Sequence, residues 1–138
     1  MPTANHAVIV YGKHHSGKSY TLKHHFKPRV GLTPNGRVFN ETDSQTNKPL
    51  IGEIRTQSFE EAGRTLQSTI RLLNSLAKRD LLVVATRPPN EAGSLYHDVE
   101  ANLQRLGFIV SSVEILNHNG PQNPVYYQGR AIEIHNNL

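Results

Sequence analysis

Residues 6–26 read H-A-V-I-V-Y-G-K-H-H-S-G-K-S-Y-T-L-K-H-H-F, and this stretch decides the fold. Residues 6–11 are mostly apolar and β-branched, which is typical of a buried strand. Residues 12–19 have glycine at the first and sixth positions, followed by lysine and serine, which is the pattern of a phosphate-binding P-loop. The residues after the loop are compatible with a helix. A strand, a glycine-rich loop and a helix in this order predict a nucleotide-binding α/β domain.

The P-loop pattern assigns a role to each of its characteristic residues. Gly12 and Gly17 allow the backbone to curl so that several N–H groups point at one phosphate chain. Lys18 is predicted to reach the β- and γ-phosphates, and the Ser19 hydroxyl is predicted to hold Mg²⁺. The sequence therefore predicts ATP and Mg²⁺ as cofactors. The predicted nucleotide-binding residues are Gly12, Lys13, His14, His15, Ser16, Gly17, Lys18, Ser19 and Tyr20.

Length and composition limit the possible classes of protein. The chain has 138 residues, which predicts one P-loop NTPase domain over residues 1–138. It has no cysteine, which excludes disulfides and zinc–thiolate sites. Neither a signal-peptide pattern nor an apolar run of membrane-spanning length is found, so we expect a cytoplasmic protein, of a cell or an infected host, without membrane insertion. The net charge of +4 is compatible with a polyanionic partner such as nucleic acid.

The rest of the chain alternates between strand and helix patterns. Strands are expected at residues 8–11, 37–41, 49–54 and 81–86. Helices are expected at residues 17–27, ended by Pro28, at residues 59–76, with Ser58 as N-cap, and at residues 94–106. Residues 108–116 and 124–134 are predicted to form a hairpin, on which Tyr126 and Tyr127 either stack on a base or pack. This order predicts an α/β fold: a mainly parallel sheet flanked by helices, with a C-terminal β-hairpin at one edge.

Hydrolysis requires a carboxylate near the P-loop to position water or to support the metal. Such groups commonly lie at the carboxyl ends of strands beside the P-loop strand. Glu53 follows an apolar run and is our preferred water-orienting base and second Mg²⁺ residue after Ser19. Its alternative role is that of an ordinary acid paired with Arg55. Glu41 and Asp43 are the alternative metal or base residues, unless they belong to a solvated loop.

A threonine and an arginine follow the apolar residues 81–85. Thr86 is a polar side chain at the tip of that strand, where it could face the γ-phosphate or cap the next turn. Arg87 could contact the γ-phosphate of its own or a neighbouring subunit, and Arg55, Arg64 and Arg79 are alternatives for that role. The predicted catalytic residues are Lys18, Glu53, Thr86 and Arg87.

Residues 81–88, L-L-V-V-A-T-R-P, resemble the apolar–A-T-Q-R-P strand of the FtsK/HerA superfamily of DNA-translocating ATPases, which includes viral genome-packaging enzymes. The spacing from Glu53 to Thr86 is also similar to that between the family's catalytic acid and its sensor residue. The resemblance implies a RecA-like core, a homo-oligomeric ring and Mg-dependent ATP hydrolysis that moves or packages nucleic acid. It also implies the sensor role for Thr86 and the acid role for Glu53.

Other functions stay open on the same residues. Residues 52–55, G-E-I-R, resemble the G-E-[IM]-R segment of type IV secretion and pilus ATPases, which implies an ATPase for protein secretion or assembly. Gly52 stands where the FtsK/HerA pattern has a metal-site aspartate, so a nucleotide-binding module that does not hydrolyse is an alternative. A nucleotide or small-molecule kinase is a further alternative, although the chain lacks the arginine-rich lid pattern of such enzymes.

Overall fold

The computed structural model describes residues 2–138 as a five-stranded sheet with helices on both faces. The strands are β1 (His6–Tyr11), β2 (Val38–Thr42), β3 (Pro49–Ile54), β4 (Leu81–Thr86) and β5 (Ile109–Glu114). Their order across the sheet is β2-β3-β4-β1-β5. All neighbours pair in parallel except β2 and β3, which are antiparallel. The predicted α/β class, with a mainly parallel sheet, is confirmed.

Four helices cover this sheet. Helix α1 (residues 18–29) is continuous and consists of an α-helical turn Lys18–Tyr20, a π-helical stretch Thr21–Phe26 and a second α-helical turn Lys27–Arg29. Helix α2 is Leu66–Leu76, α3 is Tyr96–Arg105 and α4 is Pro124–Asn136, preceded by a 3₁₀ turn at Gly120–Gln122. Within residues 2–138, no helix has the length and apolar character needed to cross a membrane.

Strand β1 is covered on both faces. Val8 and Val10 belong to the core cluster that includes Leu22 of α1 and Ile134 of α4. The alternate residues Ala7 and Ile9 belong to the cluster that is formed with α2 and α3. A strand with helices on both sides must be apolar at every position, which explains the uninterrupted apolar run before the P-loop.

The predicted C-terminal hairpin is wrong. Strand β5 pairs in parallel with β1, and residues 124–136 form helix α4. Tyr127, Ala131 and Ile134 are its buried residues, and their spacing of four and three is helical. Pro124 lies in the first turn, where its missing N–H costs no hydrogen bond. The antiparallel pair of the sheet lies at the opposite edge, between β2 and β3.

Two helix boundaries also differ from the prediction. Helix α2 begins at Leu66 instead of residue 59, after Gly63 with its φ of +71°. Its N-cap is Thr65, whose hydroxyl accepts the Ser68 N–H at 3.1 Å, and not Ser58. Helix α1 continues one residue past Pro28, to Arg29, instead of ending at residue 27. Because α2 begins later than predicted, residues 55–65 form a non-helical connection between β3 and α2, which can approach the P-loop.

Candidate nucleotide-binding site

The P-loop lies at the carboxyl end of β1, where the chain topology changes direction. The neighbours of β1 are β4 on one side and β5 on the other, and the chain reaches them by separate crossovers. Ligands of open α/β sheets bind in the crevice that such a switch point creates. The predicted loop therefore lies where this architecture places a ligand.

The two glycines of the motif are needed for the shape of the loop. Gly17 has a φ of +105°, and a Cβ there would lie 2.5 Å from the Tyr127 ring. A Cβ on Gly12 would lie 2.6 Å from the Ser16 hydroxyl oxygen and would also meet the carbonyl of Ile115. Packing behind the loop thus adds a second reason for glycine at both positions, besides the approach of a phosphate.

Helix α4 supports the loop through the buried side chain of Tyr127. The Tyr127 hydroxyl donates to the Ser16 carbonyl at 3.2 Å and accepts the N–H groups of His118 at 2.8 Å and Gly120 at 3.2 Å. Tyr127 is therefore a packing residue. Tyr126 stacks on His118, with ring centroids 3.8 Å apart.

Lys18 is buried and folded over the loop. Its ammonium donates to the carbonyls of Gly12 at 2.5 Å and Lys13 at 3.2 Å, and only 5% of the side chain is exposed. Burial lowers the pKa of Lys18; nearby Glu61 opposes this effect most, and Arg87 adds a small lowering. The Lys18 ammonium is poorly solvated in this position. A phosphate anion could bind it in place of the two carbonyls.

The two serines of the loop differ in their surroundings. Ser16 is buried, and its hydroxyl has no hydrogen-bond partner among residues 2–138. Ser19 is exposed and borders a cavity of about 310 Å³ above the loop. The unpaired Ser16 hydroxyl and the exposed Ser19 hydroxyl could both form hydrogen bonds with a polyphosphate. The Ser19 hydroxyl is also the kind of hard oxygen ligand that Mg²⁺ prefers.

Glu61 is the acid that the structure brings to this cavity. Its carboxylate lies 3.9 Å from the Lys18 ammonium and 3.4 Å from His14 Nδ1. In the described part of the chain it is the only acid that lines the cavity. Sequence reasoning missed this role because residues 59–76 were predicted as one helix, with Glu61 as an acid of its first turn.

The adjacent Glu60 fixes the connection that carries Glu61. Its carboxylate accepts the Arg87 N–H at 3.1 Å and the Leu95 N–H at 2.7 Å. These two N–H groups follow the carboxyl end of β4, so Glu60 ties residues 55–65 to the strand beside the P-loop strand. Through these hydrogen bonds, Glu60 holds the adjacent Glu61 in position.

Glu53 is not brought to the P-loop. Strand β3 pairs with β4 over three residues only, and Glu53 is level with Leu82, which is itself level with Ala7 of β1. Ala7 lies about five residues, or roughly 16 Å, before Gly12 along the strand. The expected position of Glu53 is therefore corrected: the carboxyl end of β3 lies beside the amino half of β4.

The Glu53 side chain instead joins two arginines. It is buried and pairs with Arg55 at 2.8 Å and with Arg79 at 3.0 Å. The alternative that the sequence allowed, an acid paired with Arg55, describes this contact, although the carboxylate is buried and not on the surface. Arg55 and Arg79, two of the alternative residues for contact with a γ-phosphate, are therefore both paired with Glu53.

The alternative acids Glu41 and Asp43 also lie away from the loop. Glu41 on β2 pairs with His135 of α4. The Asp43 carboxylate accepts the N–H groups of Gln45 at 2.8 Å and Thr46 at 3.0 Å in the β2–β3 turn. Because this turn precedes β3, it lies at the end of the sheet opposite to the P-loop.

Thr86 and Arg87 lie at the strand end where they were expected. Thr86 is buried and level with Tyr11, and its hydroxyl donates to the Arg87 carbonyl at 2.9 Å. The Arg87 side chain is 40% exposed and lies 3.9 Å from Glu91. The Thr86 hydroxyl thus caps the following turn, while the Arg87 guanidinium is accessible.

A second, larger cavity adjoins the first. It has a volume of about 560 Å³ and shares Ser19, Thr56 and Glu61 with the cavity above the P-loop. Arg64, one of the alternative arginines, lies in its wall. Around the P-loop the structure thus combines a desolvated lysine, an exposed serine, one carboxylate and an adjoining cavity. No protein-family model, curated protein or solved structure matches this chain.

Proposed function

We propose that the protein binds a Mg²⁺–nucleoside triphosphate, ATP, on residues 12–19 and hydrolyses it. One observation carries this proposal. The buried Lys18 ammonium donates to two carbonyls of its own loop, that of Gly12 at 2.5 Å and that of Lys13 at 3.2 Å. The switch-point position of the loop, the φ of Gly17 and the orphan Ser16 hydroxyl support it. A RecA-like core is part of the same proposal.

Glu61 is the base in this proposal, in place of Glu53. It lines the cavity with Lys18 and Ser19, whereas Glu53 is held by two arginines near the other end of the sheet. Its carboxylate would orient the attacking water and accept a proton from it. Ser19 would hold Mg²⁺, which neutralises charge on the phosphates when bound. Lys18 would then bind phosphate oxygens in place of the carbonyls.

Movement of nucleic acid is the work that we propose for this hydrolysis, carried out in the cytoplasm by a homo-oligomeric ring. Its support is the resemblance of residues 81–88 to the FtsK/HerA strand, together with the net charge of +4. Arg87 is exposed and could contact a nucleotide on a neighbouring subunit. The secretion-ATPase alternative depends on residues 52–55, where Glu53 and Arg55 form a structural ion pair.

The test is phosphate release from Mg-ATP, with and without single- or double-stranded DNA, combined with equilibrium binding of nucleotide. We expect Lys18→Ala to lose tight binding. Glu61→Gln should bind normally and turn over about 10²-fold or more slowly, since it loses a positioned base. Glu53→Gln should keep its turnover per folded molecule. Glu133→Gln, on an exposed face of α4, is the matched control for a lost carboxylate.

Each result separates one part of the proposal from the others. Normal turnover by Glu61→Gln together with loss in Glu53→Gln would contradict our assignment of the base. Binding without turnover in the unsubstituted protein, with DNA present or absent, would favour the non-hydrolysing module. Turnover that no DNA stimulates would contradict nucleic-acid translocation and favour the secretion or assembly alternative.

A further inference from the structure

The cavity of about 560 Å³ beside the P-loop has an unusually basic wall. We call it the basic cleft. Helix α1, the segment before β2 and the connection after β3 all contribute to it. Its five cationic lining residues are Lys23, Lys27, Arg37, Arg55 and Arg64. Because three separate segments bring these charges together, the cluster is a property of the fold and not of one helix face.

Most of this charge is not compensated within the protein. Arg55 is paired with Glu53. Among residues 2–138, no carboxylate lies within 4.0 Å of the charged groups of the other four cations. Glu61 is the only acid in the described part of the chain that lines the cleft, and it lies on the P-loop side. An excess of positive charge in a concave site attracts anions.

Lys27 is the buried member of the cluster. Only 3% of it is exposed, and its ammonium donates to the Pro34 carbonyl at 2.6 Å. That is its one hydrogen bond within residues 2–138, although an ammonium carries three donors. Burial, and then the neighbouring charges of Lys23 and Arg37, lower the pKa of Lys27. An anion in the cleft would satisfy donors that the protein leaves unused.

The shape of the cleft favours a small ligand over a polymer. Its volume is within the usual range of roughly 300–1,000 Å³ for small-molecule sites. Among its apolar lining residues, the half-buried Leu72 presents surface beside the cations, while Ile54 and Phe59 are buried behind it. A single-stranded nucleic acid would instead follow a charged groove with aromatic platforms over several nucleotides. The cleft fits one anionic group attached to a partly apolar body.

We propose that the basic cleft binds a second phosphate-bearing ligand, a phosphate monoester of nucleotide size, beside the triphosphate on the P-loop. Ser19, Thr56 and Glu61 border both cavities, so the two anions would lie next to each other. Binding in the cleft does not require hydrolysis at the P-loop.

The probe is AMP, with adenosine as the uncharged comparison, measured by equilibrium dialysis while a non-hydrolysable ATP analogue and Mg²⁺ saturate the P-loop. We expect AMP to bind and adenosine not to bind. Lys23→Ala and Arg64→Ala should each weaken AMP binding about tenfold, because each removes a charge-assisted hydrogen bond. Lys78→Ala, an exposed lysine just after α2, removes the same charge outside the cleft and should leave AMP binding unchanged.

Lys18→Ala separates this proposal from the function proposed for the P-loop. It should keep AMP binding even though it loses the triphosphate. Absence of AMP binding, or its loss in Lys18→Ala, would overturn the second site. Displacement of AMP by a thymidine oligonucleotide, with affinity that falls steeply with salt, would show that the cleft takes nucleic acid and would also overturn the proposal. Absence of ATP turnover would affect only the function proposed above.

Discussion

Gly17 is the residue on which the shape of the phosphate loop most directly depends. It combines a φ of +105° with a Tyr127 ring atom 2.5 Å from the position of a Cβ. A side chain there meets two separate penalties, one from backbone strain and one from overpacking. Gly129 of α4 offers the opposite case, since nothing lies within 4 Å of its Cβ position.

We expect Gly17→Ala to lower the free energy of unfolding by about 2–5 kcal/mol, the sum of strain and overpacking. Gly129→Ala should raise the free energy of unfolding by about 0.5–1 kcal/mol, because alanine favours the helix. Urea denaturation of both variants measures the difference. Equal effects of the two substitutions would mean that neither the φ of Gly17 nor its contact with Tyr127 matters.

At this scale the sequence predicts residues whose role follows from a local pattern. Lys18 and Ser19 lie within the eight-residue P-loop, so their positions follow from the loop alone. The position of Glu53 depends on the register between β3 and β4, which local pattern does not determine. The position of Glu61 depends on where α2 begins. Phe59 and Ala62 fit the helical spacing of the later apolar residues although both precede the helix. The carboxylate of the candidate site was therefore not predictable from the sequence.

Among the elements, helix α4 has a role that its distance in sequence from the P-loop conceals. Tyr127 makes three hydrogen bonds behind the loop, while the neighbouring Tyr126 accepts one, from the Leu116 N–H at 2.9 Å. The two adjacent tyrosines therefore allow a matched comparison of a buried and a partly buried hydroxyl.

Tyr127→Phe should lower the free energy of unfolding by about 1–3 kcal/mol, since the buried Ser16 carbonyl and the part-buried N–H groups of His118 and Gly120 lose their partner. It should also weaken ATP binding, because the Ser16 carbonyl is no longer held. Tyr126→Phe should have a smaller effect on stability and none on nucleotide affinity. Thermal unfolding and nucleotide titration of both variants check this. Unchanged ATP affinity in Tyr127→Phe would contradict the support of the loop by α4.

Elements with a strong, long pattern were predictable, and α4 was not. Residues 81–85 are apolar with both faces covered, and the strand over residues 81–86 was predicted with its observed bounds. Residues 124–134 contain valine, two tyrosines and two isoleucines, which favour strands, so propensity pointed away from a helix. Packing of Tyr127, Ala131 and Ile134 onto the sheet outweighs that preference.

At the scale of the whole molecule, the β2–β3 turn joins the amino-terminal segment to the sheet edge. The Asp43 carboxylate accepts two N–H groups of this turn, and the adjacent Ser44 N–H donates to the Pro2 carbonyl at 2.9 Å. The hydrogen bonds from Gln45 and then Thr46 are the main causes of a lowered pKa of Asp43. A carboxyl with a lowered pKa in the folded state makes stability dependent on pH.

Asp43→Asn should therefore unfold more easily than the unsubstituted protein at pH 7. The ordinary pKa of aspartate is about 3.9, so the stabilisation is complete above that pH and disappears as pH falls through the lower folded-state value. Denaturation midpoints of both proteins from pH 7 to pH 2 measure the difference. Asp98→Asn, in the first turn of α3, matches the change in charge. A stability difference that persists at pH 2 would contradict the electrostatic cause.

The strand order has a consequence for how the protein opens. Strands β1 and β4 are hydrogen-bonded on both sides, whereas β2 and β5 are the edges of the sheet. Local fluctuations of a native protein expose edges and termini first and central strands last. The P-loop follows β1, and we expect the amide protons of this inner strand to be among the slowest of the sheet to exchange. Fraying of β2, which β3 and β4 separate from β1, would thus leave the P-loop assembled, and under the proposed function a nucleotide would meet a preformed loop.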